Sequence, residues 1–175
     1  MDNVSLFFQI YNLNGQNANI DKLMVFVTDY LIHLLFILSF IVSWKGKILD
    51  RKAFLIMLIS FPIAVILIKI IHIFIYEPRP WVTFNLIPLA DNHFDASFPS
   101  RHATLSAVIA FSYLYFGSKW AAPFLIAMLL IGFSRIYVGV HYPLDILGGF
   151  VVAGLAIFIA VRIKNLIFSQ IFRHS

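Results

Sequence analysis

Ser134-Arg135, followed after five residues by His141 and after three more by Asp145, is the densest chemistry in the chain. Two clusters precede it: Glu77-Pro78-Arg79-Pro80, and Ser97-Phe98-Pro99-Ser100-Arg101-His102. Arginine presents a planar fork of donors that matches phosphate oxygens, which suits Arg79 and Arg135 to an anion. Pro99-Ser100 reads as a helix start, where Ser100 caps and the backbone N–H groups behind it favour negative charge. His141 and Asp145 stand one helical turn apart, with Pro143 between them at an expected helix start. A carboxylate at that spacing bonds one imidazole nitrogen and leaves the other neutral and nucleophilic. His102 is then a separate proton donor. Singly, these residues have plainer uses: an arginine anchors a membrane interface, and Pro-Ser caps a helix. Together, in a chain with only 12% charged residues, they point to a phosphate or anion site.

The elements that must position them are membrane helices. The 175 residues are 61% hydrophobic, with 19 Phe and a mean hydropathy of +0.91. Soluble domains sit nearer ~45–50% apolar and ~25% charged, so a soluble enzyme and a disordered chain are both excluded. Apolar runs predict spans over about 23–44, 53–76, 101–117, 120–137 and 144–161, each near the ~20 residues a crossing needs. Residues 4–12 are too short to cross and predict an amphipathic N-terminal helix at the interface. The expected fold is an all-α polytopic bundle, with residues 1–175 forming one domain. The stretch 77–100, polar and proline-rich, reads as a functional loop. His102 and His141 lie 39 residues apart, enough for two spans and a turn, which returns the chain to the same face.

Charge gives an orientation. Lys45, Lys47, Arg51, Lys52, Lys119, Arg162, Lys164 and Arg173 collect on one side, against Lys22, Arg79, Arg101 and Arg135 on the other. Cytoplasmic loops are the basic ones, so the three clusters are expected to face away from the cytoplasm. The basic pI of 9.6 therefore reflects membrane topology, and no nucleic-acid partner is expected. Met1-Asp2-Asn3 lacks the basic region of a cleavable signal peptide. The absence of cysteine excludes disulfides, thiol nucleophiles and Cys-ligated metals. Glu77 and Asp95 are placed to orient the arginines. Asp29 and His33, one turn apart in the first span, are expected to pair with each other, and Lys69 to snorkel to the interface.

The three clusters resemble the signature of the type 2 phosphatidic acid phosphatase (PAP2) superfamily: Lys, six residues, Arg-Pro; then Pro-Ser-Gly-His; then Ser-Arg, five residues, His, three residues, Asp. The third part is complete as SRIYVGVHYPLD, residues 134–145. The second stands as Pro99-Ser100-Arg101-His102, with Arg101 in the glycine place. The first matches at Arg79-Pro80, with His72 where the family has lysine and Lys69 one turn away. The phrases YEPRP, DASFPS and GFSRIYVGVHYPLDILG are similar to the bacitracin-resistance type of undecaprenyl-diphosphatase.

The resemblance implies a bacterial inner-membrane hydrolase with its site on the extracytoplasmic side. It would convert undecaprenyl diphosphate to the monophosphate and so recycle a cell-wall lipid carrier. It further implies that His141 attacks phosphorus to form a phosphohistidine, that Asp145 holds its ring, and that His102 protonates the leaving oxygen. Arg79, Ser100, Arg135 and His72 or Lys69 would hold the phosphoryl oxygens, and no metal or other cofactor would be needed. Arg101, a departure from the family glycine, adds a positive charge that contacts either a second phosphate or lipid headgroups. A broader lipid phosphatase acting on phosphatidate or phosphatidylglycerol phosphate fits the same motifs, because they grip phosphate and not the tail. A non-catalytic anion carrier or binding protein is the alternative from another class; the chain shows no internal repeat and keeps His102, His141 and Asp145.

Overall fold

The computed structural model describes residues 2–90 and 95–171, with side chains described as far as residue 166. Arg173, and residues 91–94 of the polar loop, lie outside the described residues. All regular structure among the described residues is helical, in the order α1 (Asn3–Tyr11), α2 (Ala18–Phe26), a π turn (Val27–Leu31), α3 (Ile32–Lys45), α4 (Ile48–Phe74), α5 (Pro80–Thr83), α6 (Arg101–Tyr115), α7 (Ala121–Tyr137) and α8 (Pro143–Ile171).

The stretch from α2 through the π turn to α3 runs on as one helix, Ala18–Lys45. It begins five residues earlier than hydropathy alone predicts, because the Asn17 side chain caps it by accepting from the N–H groups of Asn19 and Ile20. This helix, α4 and the Pro143–Leu166 part of α8 are long and apolar enough to cross a membrane. α7 is a shorter apolar helix of 17 residues, and α6 has only 15. At 1.5 Å per residue α6 spans roughly 22 Å. The physical reason for its polarity is its position. Other helices surround it, and Ala103, Thr104, Ser106, Ala107, Ala110 and Ser112 are all buried. Small residues of this kind let helix backbones approach where no hydrophobic effect drives association. α8, α7 and α4 pack closely on α6, and α3 touches it as well.

Hydrogen bonds between helices fix the arrangement. The Tyr113 hydroxyl donates to the Ser39 carbonyl at 2.8 Å and joins α6 to α3. Thr28, in the π turn, shares a 2.9 Å hydroxyl bond with Ser134 of α7. At the end remote from the histidines, Ser118 bonds the buried Asp50 carboxylate, which also accepts from the Lys47 N–H at 2.8 Å. Such bonds within a membrane are worth about 0.6–2 kcal/mol each. The expected Asp29–His33 side-chain pair does not form. His33 Nδ1 lies 3.1 Å from the Asp29 backbone oxygen, a partner within reach at the same one-turn spacing.

α1 is docked against the ends of α7 and α8. Phe7 is fully buried, its ring 5.6 Å from that of Tyr142 and 6.4 Å from that of Phe84. The Asn3 side chain accepts from the Leu144 N–H at 3.0 Å, so α1 also caps the start of α8. Two glycines are required for the chain to fold back here. Gly139, at φ +87°, makes the left-handed turn between α7 and His141, and a Cβ on it would meet the Tyr11 ring at 2.8 Å. A Cβ on Gly148 would lie 2.2 Å from the Phe98 ring, so only glycine lets the 97–100 segment settle on α8.

Placing an L side chain in that left-handed turn costs roughly 1–2 kcal/mol. Gly139→Ala is therefore expected to lower the unfolding midpoint in detergent by about 2–8 °C, measured by thermal scanning. An unchanged midpoint would show that the turn carries no such constraint.

Candidate active site

Three starts and ends of elements meet where the motifs lie. The end of α4 and the segment before α5 bring His72, Glu77 and Arg79; the start of α6 brings Ser100, Arg101 and His102; the end of α7 and the start of α8 bring Arg135, His141 and Asp145. Arg79, Ser100, Arg135, His141 and Asp145 are all buried, each at 2% exposure or less. His102 is half-buried at the rim, and Arg101 is exposed.

Asp145 sits in the first turn of α8, and Pro143 opens that helix. Its Oδ2 accepts from the Tyr142 N–H at 2.8 Å, from the Ser97 hydroxyl, and from His141 Nδ1 at 3.2 Å. A carboxylate only accepts, so the Nδ1 proton lies on the ring, and Nε2 of the neutral imidazole keeps its lone pair. Burial, reinforced by the positive Arg135 and Arg79, holds the His141 pKa well below the usual histidine range. A neutral histidine with an oriented ring is a nucleophile ready at neutral pH.

Ser97 was not singled out by sequence reasoning. It is fully buried, and its oxygen also lies 3.4 Å from His141 Nδ1. Its one signal was its place within the second cluster, three residues ahead of Ser100. Its N–H donates to the Glu77 carbonyl at 2.8 Å, which ties the first cluster to the second. The Ser100 N–H donates to the Asp145 carbonyl at 3.1 Å, which ties the second to the third. Ser100 Oγ caps α6 by accepting from the Ala103 N–H at 3.5 Å. Those two backbone donors are therefore engaged within the protein, while the Ser100 hydroxyl proton remains to be placed on an anion.

Asp95 organises the cations. Its Oδ1 accepts from Arg79 Nη2 at 2.6 Å, and its Oδ2 from Arg101 Nη2 at 2.7 Å. Burial alone would raise this carboxyl, but Arg79 and Arg101 outweigh it and hold the pKa below the usual value. Arg79 Nε also donates to the Asp95 carbonyl at 3.3 Å. Arg79 Nη1 remains buried with no hydrogen-bond partner among the described residues. His72 Nε2 is in the same condition; its ring bonds the Pro99 backbone and lies within electrostatic reach of Asp95, Arg101 and Arg79. Lys69 is exposed on α4 and is not among the groups acting on Asp95. Glu77 is half-buried, and burial followed by the negative Asp145 raises its carboxyl.

A buried guanidinium donor without a partner among the described residues, with the open His72 Nε2 and a neutral His141 near it, makes a place for an anion. Comparison with known proteins agrees on the kind of anion. The family model described as the PAP2 superfamily matches residues 53–168. The chain belongs to the PAP2 superfamily. Among its PAP2 relatives, the undecaprenyl-diphosphatase BcrC of Bacillus subtilis (strain 168) is 36% identical over 166 residues, covering 94% of this chain and 86% of the relative. The crystal structure of Aquifex aeolicus LpxE superposes with a TM-score of 0.76 at 25% identity, covering 91% of this chain and 94% of that one. A transmembrane PAP2-type phosphatidylglycerolphosphate phosphatase from Bacillus subtilis superposes with a TM-score of 0.65 at 27% identity, covering 94% and 87%. The chain is accordingly a multi-pass membrane phosphatase. The PAP2 match begins within α4, so α1, the π turn and α3 lie ahead of it.

Two measurements follow from the geometry. Arg135→Gln removes one of the cations that keep His141 neutral, so the acid limb of the kcat/KM profile should move up toward the ordinary histidine value of ~6.5. An unmoved limb would mean that His141 is not the group titrating there. Ser97→Ala should cut kcat about tenfold with KM little changed, because a hydrogen bond to an ionised group is worth ~1.5–3 kcal/mol.

Proposed function

We propose that this phosphatase hydrolyses a lipid diphosphate, first of all undecaprenyl diphosphate, to the lipid monophosphate and inorganic phosphate at the extracytoplasmic face of the bacterial inner membrane. The observation that carries this reading is the buried donor Arg79 Nη1, without a partner among the described residues, beside a neutral His141 backed by Asp145. The 36% identity to an undecaprenyl-diphosphatase supports the choice of lipid. The excess of basic residues in the loops at the opposite end supports the orientation.

In the proposed sequence, the Nε2 lone pair of His141 attacks the terminal phosphorus. The bond from phosphorus to the bridging oxygen breaks, and His102 gives that oxygen a proton. The lipid monophosphate leaves, and a phosphohistidine remains. His102, now a base, takes a proton from water, whose oxygen attacks the phosphorus and releases phosphate and free His141. Arg79, Arg135, His72 and the Ser100 hydroxyl hold the three phosphoryl oxygens. His72 fills the place of the family lysine, since its ring lies within electrostatic reach of Asp95, Arg101 and Arg79. Arg101 holds the second phosphate while anchored on Asp95. Phosphoryl transfer depends mainly on positioning and charge stabilisation, and these fixed cations supply both, with no metal in any step.

The test is phosphate release by purified protein in EDTA, with undecaprenyl diphosphate and phosphatidate offered in parallel. Wild type should prefer the diphosphate. His141→Ala should abolish release and the acid-labile phosphoenzyme, and His102→Ala should reduce kcat by ~10²–10⁴-fold. Equal or greater release from phosphatidate would favour the broader lipid phosphatase. Retained turnover in His141→Ala would remove the covalent mechanism.

A further inference from the structure

A cavity of about 580 Å³ lies between α3, α4 and α6, within the roughly 300–1,000 Å³ typical of ligand sites. Its polar lining is His33, Arg101 and His102, and its apolar lining includes Phe36, Ile37, Phe61 and Leu105. The two kinds are ordered along the bundle. Arg101 and His102 open α6, and Leu105 follows one turn deeper; His33 stands one turn before Phe36 and Ile37 on α3. Phe61 lies about three turns below His72 on α4. The cavity thus has Arg101 and His102 at the level of the site, and His33 deeper, one turn above Phe36 where the apolar lining begins. Ile37 is 54% exposed and Phe36 40%, so its side opens to lipid.

His33 is directed by its own helix. Its Nδ1 sits 3.1 Å from the Asp29 carbonyl, which only accepts, so Nδ1 carries the proton and Nε2 is left for the cavity. Asp29 belongs to the π turn, and single π turns recur at functional sites. His33 lies outside all three motifs and outside the segment matched by the family model.

The direction of the reaction joins these facts. An in-line displacement puts the leaving oxygen opposite the attacking nitrogen. His102, the proton donor to that oxygen, lines this cavity, so the cavity lies on the leaving-group side. We infer that the α3–α4–α6 cavity receives the leaving half of the substrate: the lipid-bound phosphate between Arg101 and His33, and the first part of the chain along Phe36, Ile37, Phe61 and Leu105. This rests on the lipid-diphosphate reading above.

Purified variants in detergent test this with undecaprenyl diphosphate, isopentenyl diphosphate and the monoester para-nitrophenyl phosphate. His33→Leu should raise KM for both diphosphates about tenfold and leave the monoester unchanged, which also shows that the variant is folded. Ile37→Trp and Leu105→Trp should raise KM for the long chain and spare the short one. Equal effects on long and short chains, or none on either, would overturn the groove. An unchanged diphosphate-to-monoester ratio in His33→Leu would overturn the histidine assignment. Should wild type hydrolyse phosphatidate and no prenyl diphosphate, the diphosphate reading and the role of His33 fall together. The tryptophan variants on long- and short-chain phosphatidate would then still decide the groove. Independently of any variant, a prenyl monophosphate with a diazirine near its first isoprene should label residues 32–37 or 101–105 of the wild type; label confined to other helices would sink the proposal.

Discussion

Asp145 is a carboxylate with no exposure, in the first turn of a helix that continues into lipid. A charge in that position persists only when hydrogen bonds replace the water it has lost. Its Oδ2 gathers them from three directions: the Tyr142 N–H, the Ser97 hydroxyl and the His141 ring. Each donor fixes a different part of the molecule. Tyr142 sets the entry to α8 and meets the Phe7 ring edge-on, Ser97 brings in the segment ahead of α6, and His141 acquires one tautomer. The same residue's backbone oxygen takes the Ser100 N–H and so sets the start of α6. The second and third motifs meet on this one buried anion, and the first joins them through the Ser97 N–H on the Glu77 carbonyl.

A second carboxylate handles the opposite problem. Arg79 and Arg101 would repel each other near a common point, and Asp95 holds one with each oxygen. It leaves part of the Arg79 fork unspent. The site is therefore preorganised around a positive excess, with the anionic partner of that excess supplied by whatever is bound.

Much of this was legible in the sequence. Spacing gave the His141–Asp145 contact, because the i, i+4 relation holds on any helix and Pro143 marked where that helix would begin. Hydropathy gave the long helices, since lipid permits few alternatives to a hydrogen-bonded helix. It placed the starts of α6, α7 and α8 to within one residue and began the first helix and α4 five residues late. Asn17 extends the first helix by capping, which a polarity average cannot register. Ser97 escaped notice because a lone serine in a polar loop is common, and only burial against Asp145 distinguishes it. The π turn left no mark in the sequence; in the structure it carries Thr28, which meets Ser134 across the bundle. The Asp29–His33 spacing was read correctly and its partner wrongly, because the backbone oxygen competes with the carboxylate at the same distance.

α6 carries a further consequence through its length. A hydrocarbon layer is about 30 Å thick, and a 15-residue helix covers roughly 22 Å of it. With its far end at the opposite boundary, such a helix leaves the reacting groups at its first turn inside the layer, below the lipid's own phosphates. Withdrawing a long chain into water costs about 0.8 kcal/mol for every CH₂ exposed. A site sunk to that depth meets its lipid by sideways diffusion alone, so the desorption that would otherwise dominate the barrier never enters the reaction.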